Sequence, residues 1–420
     1  MRIKLLNGKM IGVLAVILVL FMAIGGAAEE ALAEPPTVVP EGVTEIDLRA
    51  VLGGDALDVE DAWMLNADVS VILRRLQEIA GYELILLNMR DLSVLSRTPV
   101  SHAKYDYWRE PGREDGAFYL LFTPEGFDWD DPEFSFVKAI ISPDGTVDTS
   151  ASVPSRRTVM PGGKTAVRKA DDGSLYAVDL DTGEEELLIQ GVAGFQGEYS
   201  YEAYLGYVPC RDDIEYNVDE DGDSLSIPFP LDEDSFDDYW PYFYREFYVH
   251  KPLDEHRFVY TVSGWEWGAG FGVYDLQTRT DHRITGSGFF YGVVGNTLYG
   301  ATLMADANTY ETSPLPETVR WQLGEVYQME DGRVDYDISP DGRLLAFTGM
   351  KSRYAIYGIA DGHTVTITDI QTGEVIKAYD IDNPFASEYS VTFYGDTRFM
   401  LFFRPEESGS AYIYLFDAEE

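Results

Sequence analysis

The chain has 420 residues, of which 73 are acidic and 31 basic, for a formal net charge of −42. A field of that sign repels phosphate backbones and anionic lipid, which argues against nucleic-acid binding and against docking on an acidic membrane surface. The one cysteine, Cys210, rules out an intramolecular disulfide and any cysteine-rich metal site.

Arg2, Lys4 and Lys9 precede an uncharged apolar run from Met10 to Ala28, the layout of an export signal. Ala31-Leu32-Ala33 supplies a small-x-small pattern and places cleavage before Glu34. An uncleaved anchor is the alternative, because the run approaches the ~20 residues that span a bilayer. Cys210 lies too far downstream for a lipid-anchored precursor. Removing residues 1–33, with three basic and two acidic side chains, leaves 387 residues with a net charge near −43. That is more than one compact core usually holds, so the chain has two domains or repeats itself. Residues 34–43 read as a linker and 44–420 as a single domain.

In chain order, "VTEIDLRAV" from Val43 to Val51 reads as an isolated strand. "DVSVILRRLQEIAGYELILL" then places Val69, Ile72, Leu73, Leu76 and Ile79 at helical spacing, with Asp68 as an N-cap and Gly81 as a terminator. Strands fit it better, because "YELILLNMRDLSVL" continues as a hairpin; an inserted helix is the alternative. "LYAVDLDTGEEELLI" from Leu175, "FGVYDLQTRTDHRIT" from Phe271 and "VTITDIQTGEVIKAY" from Val365 share one layout of apolar alternation, Asp, polar turn and second run. Aligned on Asp179, Asp275 and Asp369 they lie 96 and 94 residues apart, and Asp417 follows another 48 on. The basic period of about 48 is close to the ~40 to 50 residues of a four-stranded propeller blade. The clearest whole unit runs from Tyr336 to Asp380 and opens on "DISPDGRLLAFTG". "TVMPGGKTAVRK" from Thr158, "YVHKPLDEHRFVYTVSGW" from Tyr248 and "YSVTFYGDTRFMLFF" from Tyr389 copy its first hairpin. A second "ISPDG" begins at Ile141, and its Ser142 stands only 19 residues before Pro161, so it belongs to the outer hairpin of the preceding unit.

These repeats resemble exported β-propellers of the TolB and WD40-like class, whose blades carry "SPDG", an "AF" strand and a "TG" hairpin. The resemblance implies an all-β ring of four-stranded antiparallel blades that binds partners through loops at one end. Eight blades fit the spacing best, the eighth running from Tyr389 to Glu420 and lacking a fourth strand that Val43–Val51 would supply to close the ring. Seven is the alternative, because residues 191–238 and 299–323 fit the template poorly.

The chemistry of function is harder to find. Asp144 and Asp341 in the "SPDG" stretches read as turn residues rather than acid or base catalysts. The Asp-x-x-Thr-Gly-Glu hairpins lack the following Trp of the quinoprotein docking repeat, and no Gly-x-Ser-x-Gly elbow occurs. His102, His250, His256, His282 and His363 have no ligand spacing. Between Asp212 and Asp238 stand twelve acidic residues without a Lys or Arg. Within them Asn217, Asp219, Asp221 and Asp223 resemble the start of a Ca²⁺ loop, which then fails at Leu225 and Pro228. Trp240, Tyr242 and Tyr244 follow in an aromatic-rich run, and Trp265 and Trp267 lie in a Gly-rich loop; all five are candidates for partner contact. The expectation is an exported, non-enzymatic, monomeric module that binds a protein or glycan and needs no cofactor, Ca²⁺ apart. A propeller enzyme acting on carbohydrate through channel carboxylates is the competing class, and a quinoprotein-like oxidoreductase the more distant one.

Overall fold

The structure, a computed structural model, describes residues 40–77, 81–101, 103–105, 112–114, 117–126, 134–154, 156–191, 245–264, 268–285, 289–328, 335–350, 363–381, 386–405 and 411–418. These residues form seven antiparallel sheets, taken here as blades 1 to 7 in ring order. Blade 1 comprises Val59–Asn66, Val69–Arg75, Gly81–Asn88 and Val94–Ser101. Blade 2 has a first strand in two pieces, Ala103–Tyr105 and Gly112–Glu114, both paired to Ala117–Pro124, followed by Ser135–Ile141 and Val147–Pro154. Blade 3 is Arg157–Val159, Thr165–Lys169, Leu175–Asp179 and Glu185–Ile189, and blade 4 is Glu246–Pro252, Arg257–Ser263, Gly268–Asp275 and Thr280–Thr285. Blade 5 is Phe290–Val294, Thr297–Gly300, Leu303–Asp306 and Thr312–Pro314, and blade 6 is Tyr336–Ile338, Leu344–Met350, His363–Asp369 and Val375–Ile381. Blade 7 joins Ala386–Phe393, Arg398–Pro405 and Tyr412–Asp417 to Thr44–Asp47 from the other end of the chain. The helical spacing that began at Val69 gives way to a strand over Val69–Arg75, because Val71, Ile72 and Leu73 are each buried between neighbouring sheets on alternating faces; Ile79 lies outside the described residues.

The recurring Asp is explained by one turn. At the end of the third strand Asp179 Oδ1 accepts from the N–H of Asp181 (3.0 Å) and Thr182 (2.8 Å), and Asp275 does the same with Gln277 and Thr278. Asp306 repeats it with Asn308 and Thr309, both at 2.8 Å, and Asp369 with Thr372. Four residues past each Asp the backbone turns left-handed, with φ of 74° at Gly183 and 73° at Gly373. Blades 4 and 5 place Arg279 (58°) and Tyr310 (61°) at that position, and blade 1, with Asn88 in place of Asp, puts Leu92 (58°) there. A side chain in this conformation costs roughly 1–2 kcal/mol, which glycine avoids.

The ring is held by apolar clusters shared between successive sheets. Trp63, Leu73 and Leu84 pack with Phe118 and Phe122 between blades 1 and 2, and Val167 and Leu175 with Phe258 and Tyr260 between blades 3 and 4. Equivalent clusters join blades 4 and 5, 5 and 6, 6 and 7, and 7 and 1. Each fully buried Leu or Phe contributes about 1.5–3 kcal/mol. Helix α1 (Leu48–Leu52) continues directly from the closing strand and buries Leu48 and Leu52 between blades 7 and 1. Helix α2 (Glu317–Gln328) wedges Val319 and Leu323 between blades 5 and 6, where the outer strands of blade 5 are short.

The blade count settles on seven, the lower of the two expected numbers. Six sheets lie between Val59 and Ile381, and the seventh is sealed by Thr44–Asp47, with Thr44 opposite Leu415 and Asp47 opposite Tyr412. Blades 3 and 4, which flank residues 192–244, touch directly through their shared cluster and through Phe247 N–H donating to Gly173 O at 3.0 Å. That contact leaves no place for an eighth sheet between them.

Candidate functional site

Strand order alone makes the two ends of the ring unlike. In an antiparallel blade the first-to-second and third-to-fourth connections emerge at one end, and the second-to-third and blade-to-blade connections at the other. Among the described residues every connection at the first end is a tight turn of at most five residues, such as 180–184 or 339–343. At the second end emerge residues 125–134, 190–245, 315–335 and 351–362. Asn217, Asp219, Asp221, Asp223, Trp240, Tyr242 and Tyr244 belong to the connection from blade 3 to blade 4, and Trp265 and Trp267 to the second-to-third connection of blade 4. All nine lie outside the described residues, on segments that leave and rejoin the ring at the second end. Cys210, His102 and residues 1–39, with the export signal, are likewise outside them. Among the described residues no helix is long and apolar enough to cross a membrane, and no group of three His, Cys, Asp or Glu is placed to hold a metal ion.

The "SPDG" carboxylates are engaged by backbone. Asp144 Oδ1 accepts from Thr146 N–H at 2.9 Å, and that bond holds its carboxyl below the usual aspartate range. Asp341 accepts from Ser339 Oγ (2.6 Å) and Arg343 N–H (3.0 Å); partial burial pushes it up, yet these bonds leave it low. Low values keep both groups ionised as acceptors and unsuited to donate a proton near neutral pH. Ile141–Gly145 does lie in the outer hairpin of blade 2, whereas Ile338–Gly342 opens blade 6. The histidines are dispersed: His250 is exposed with its ring edge on Phe290 (4.7 Å), His256 is in the turn after Pro252, and His282 stacks on Tyr310 at 3.8 Å.

A concentration of cations and tyrosines that the sequence motifs did not point to lies between blades 2 and 3. The face of blade 2 carrying Phe118, Leu120 and Ala139 packs on blade 1. Alternation therefore turns Tyr119, Leu121, Phe136 and Lys138 toward blade 3. In blade 3, Val167, Leu175 and Ala177 face blade 4. Arg168 and Tyr176 accordingly face blade 2, and so do Arg157, directly opposite Arg168, and Leu187, opposite Tyr176. Leu121, Phe134 and Phe136 form a buried cluster on this side of blade 2, and Ala166 and Val178 are buried on the facing side of blade 3. Val159 and Leu187 stay 49% and 45% exposed. Each wall holds a cation across a tyrosine ring, Lys138 Nζ 4.2 Å from the Tyr119 centroid and the Arg168 guanidinium 5.1 Å from that of Tyr176. Arg168 also forks onto Glu185 at 2.9 and 2.5 Å. That hydrogen-bonded pair raises the Arg168 pKa and lowers that of Glu185, so both stay charged. The available signal was compositional: residues 149–170 hold Arg156, Arg157, Lys164, Arg168 and Lys169 and not one acid, in a chain whose acids outnumber its bases 73 to 31.

No family model and no curated protein matches the chain. Among solved structures, the β-propeller domain of Cps50 (Swd1) from Myceliophteria thermophila is similar over 85% of this chain and 98% of that one, with 10% identity and a TM-score of 0.38. The tricorn protease is similar over 82% of this chain, which spans 28% of that protein, with 12% identity and a TM-score of 0.30. Likenesses this loose carry no functional argument. The chain is a seven-bladed propeller on its own sheet order and shared interfaces.

Proposed function

We propose that the chain is an exported, non-enzymatic binding module that engages a protein or glycan through the end of the ring where the long connections emerge. The observation that carries this reading is the asymmetry of the ring. One end is closed by short turns whose Asp side chains are occupied by backbone, while residues 190–245 and 351–362 leave from the other. A rigid ring that displays long segments on one side is built for contact rather than for chemistry at one residue. Export is supported by Arg2, Lys4 and Lys9 ahead of the apolar run. Trp240 and Trp265, on two of the segments at that end, are the candidate anchors. Affinity capture from envelope extract with the purified chain should enrich a saturable partner or glycan. Trp240→Ala with Trp265→Ala should lose it, and Arg343→Ala, at the tight-turn end, should keep it. Equal capture by all three proteins would sink the reading.

A further inference from the structure

We propose that helix α2 is a lid, which lifts from the seam between blades 5 and 6 while the ring stays folded. The reading rests on contacts within the chain and stands whether or not a partner is captured. The lid closes on Gln322, which is 2% exposed. Its Nε2 donates to Thr366 Oγ1 at 2.9 Å and to Thr368 Oγ1 at 3.0 Å, and among the described residues its Oε1 is buried with no hydrogen-bond partner. Turning the amide over would not help. Oε1 would then accept from the two hydroxyls, and the N–H donors of Nε2 would be stranded in its place. A buried carbonyl without a partner costs free energy that water returns as soon as the helix lifts. The polar contact at the centre of the helix therefore favours the open state.

The helix is fastened most firmly where it begins. Leu315 is 2% exposed, and its N–H donates to Thr302 O at 3.0 Å. Pro316 lies against the turn of blade 6 so closely that a Cβ on Gly373 would come within 2.6 Å of its ring. Past this hinge, Val319 and Leu323 are the helical side chains placed in the shared cluster, and Leu323 O accepts from Tyr291 O–H at 2.7 Å. Trp321 stays 45% exposed, its ring 6.2 Å from that of Phe347. Gly324 stands inside the helix, where it gives less helical stability than alanine would. Lifting about Leu315–Pro316 bares Ile338, Leu345 and Phe347 of blade 6. The lid belongs to residues 315–335, at the end of the ring where the long connections emerge, so its opening changes that surface.

The test is hydrogen exchange of the full-length chain followed by mass spectrometry. The segment Glu317–Gln328 should exchange in one cooperative step, at least a hundredfold faster than Leu344–Met350 of the blade it covers. Thr368→Val takes one acceptor from Nε2 and should speed exchange of the helix. Thr368→Val combined with Gln322→Met replaces the buried polar contact by apolar groups of similar shape and should slow it at least tenfold below the parent. Melting temperatures of both variants within a few degrees of the parent would show that the ring is intact. Exchange of the parent helix as slow as that of Leu344–Met350 would overturn the lid without recourse to either variant. A double variant whose helix exchanges as fast as the parent's would overturn the part given to Gln322.

Discussion

Blade 3 turns Val167, Leu175 and Ala177 toward blade 4 and Arg157, Arg168 and Tyr176 toward blade 2, on strands only three to five residues long. On the first side the neighbours share a buried cluster, Lys169 pairs with Glu246 at 3.1 Å, and Arg279 reaches back to Glu186. The second side has a cation resting on a ring on each wall, with Ala166 and Val178 buried and Val159 and Leu187 half exposed. One sheet thus presents an apolar, ion-paired face to one neighbour and a cationic, tyrosine-bearing face to the other. The two are separated by nothing more than the period of two along each strand.

The contrast can be broken most severely on the side toward blade 4. Leu175 is fully buried there, and Leu175→Ala should destabilise the protein by about 3 kcal/mol in urea unfolding. Gly173→Ala comes next. Its backbone has φ of 77°, and a Cβ would lie 2.9 Å from the Glu246 Cα of blade 4, so a loss of about 2 kcal/mol is expected from strain and contact together. Lys169→Met removes a partly buried ion pair and should cost up to about 1 kcal/mol, a cost that shrinks for the parent as salt is raised. On the side toward blade 2, Leu187→Ala should stay within about 0.5 kcal/mol of the parent by the same measurement, because the side chain is already half in water. A large loss there would show that Leu187 packs as tightly as the residues toward blade 4.

Asp179 belongs to the turn that serves both faces and should respond to pH alone. The N–H of Thr182 depresses its pKa in the folded protein. Its stabilising effect is therefore complete above the unfolded value near 3.9 and is lost as pH falls through the lower folded value. Carboxyl ¹³C shifts should place its midpoint below that of a model aspartate, and Asp179→Asn should flatten that part of the acid-unfolding curve.

Much of this architecture was legible in the sequence. The hairpins at Thr158, Tyr248, Tyr336 and Tyr389 and the closing strand near Val43 form where alternation and turn residues place them. Blade 5 was obscured because Tyr310 occupies the position that Gly183 and Gly373 fill elsewhere, and because its outer strands have only three or four residues. With the glycine gone, "DANTYE" no longer looks like "DLDTGE", although the backbone closes the same turn. Residues 191–238, which fit the template poorly, fall within the eight-blade spacing, and the direct contact of the flanking sheets removes a blade there. The seam was half legible. Its excess of cations is plain in residues 149–170, but which of them face blade 2 depends on register, and a slip of one residue would exchange the two faces.

The closing strand also sets the order in which the molecule can be completed. Glu45 and Tyr414, joined by a 2.7 Å hydrogen bond, are 369 residues apart in sequence, so one edge of the last sheet is synthesised near the start and its partner near the end. Until Tyr412–Asp417 exists the strand at Thr44–Asp47 has nothing to pair with, and the loop-closure entropy of nearly the whole chain must be met at once. Blades 1 to 6 can form in sequence, but the ring seals only once Tyr412–Asp417 pairs with Thr44–Asp47, and that step should be the slow one.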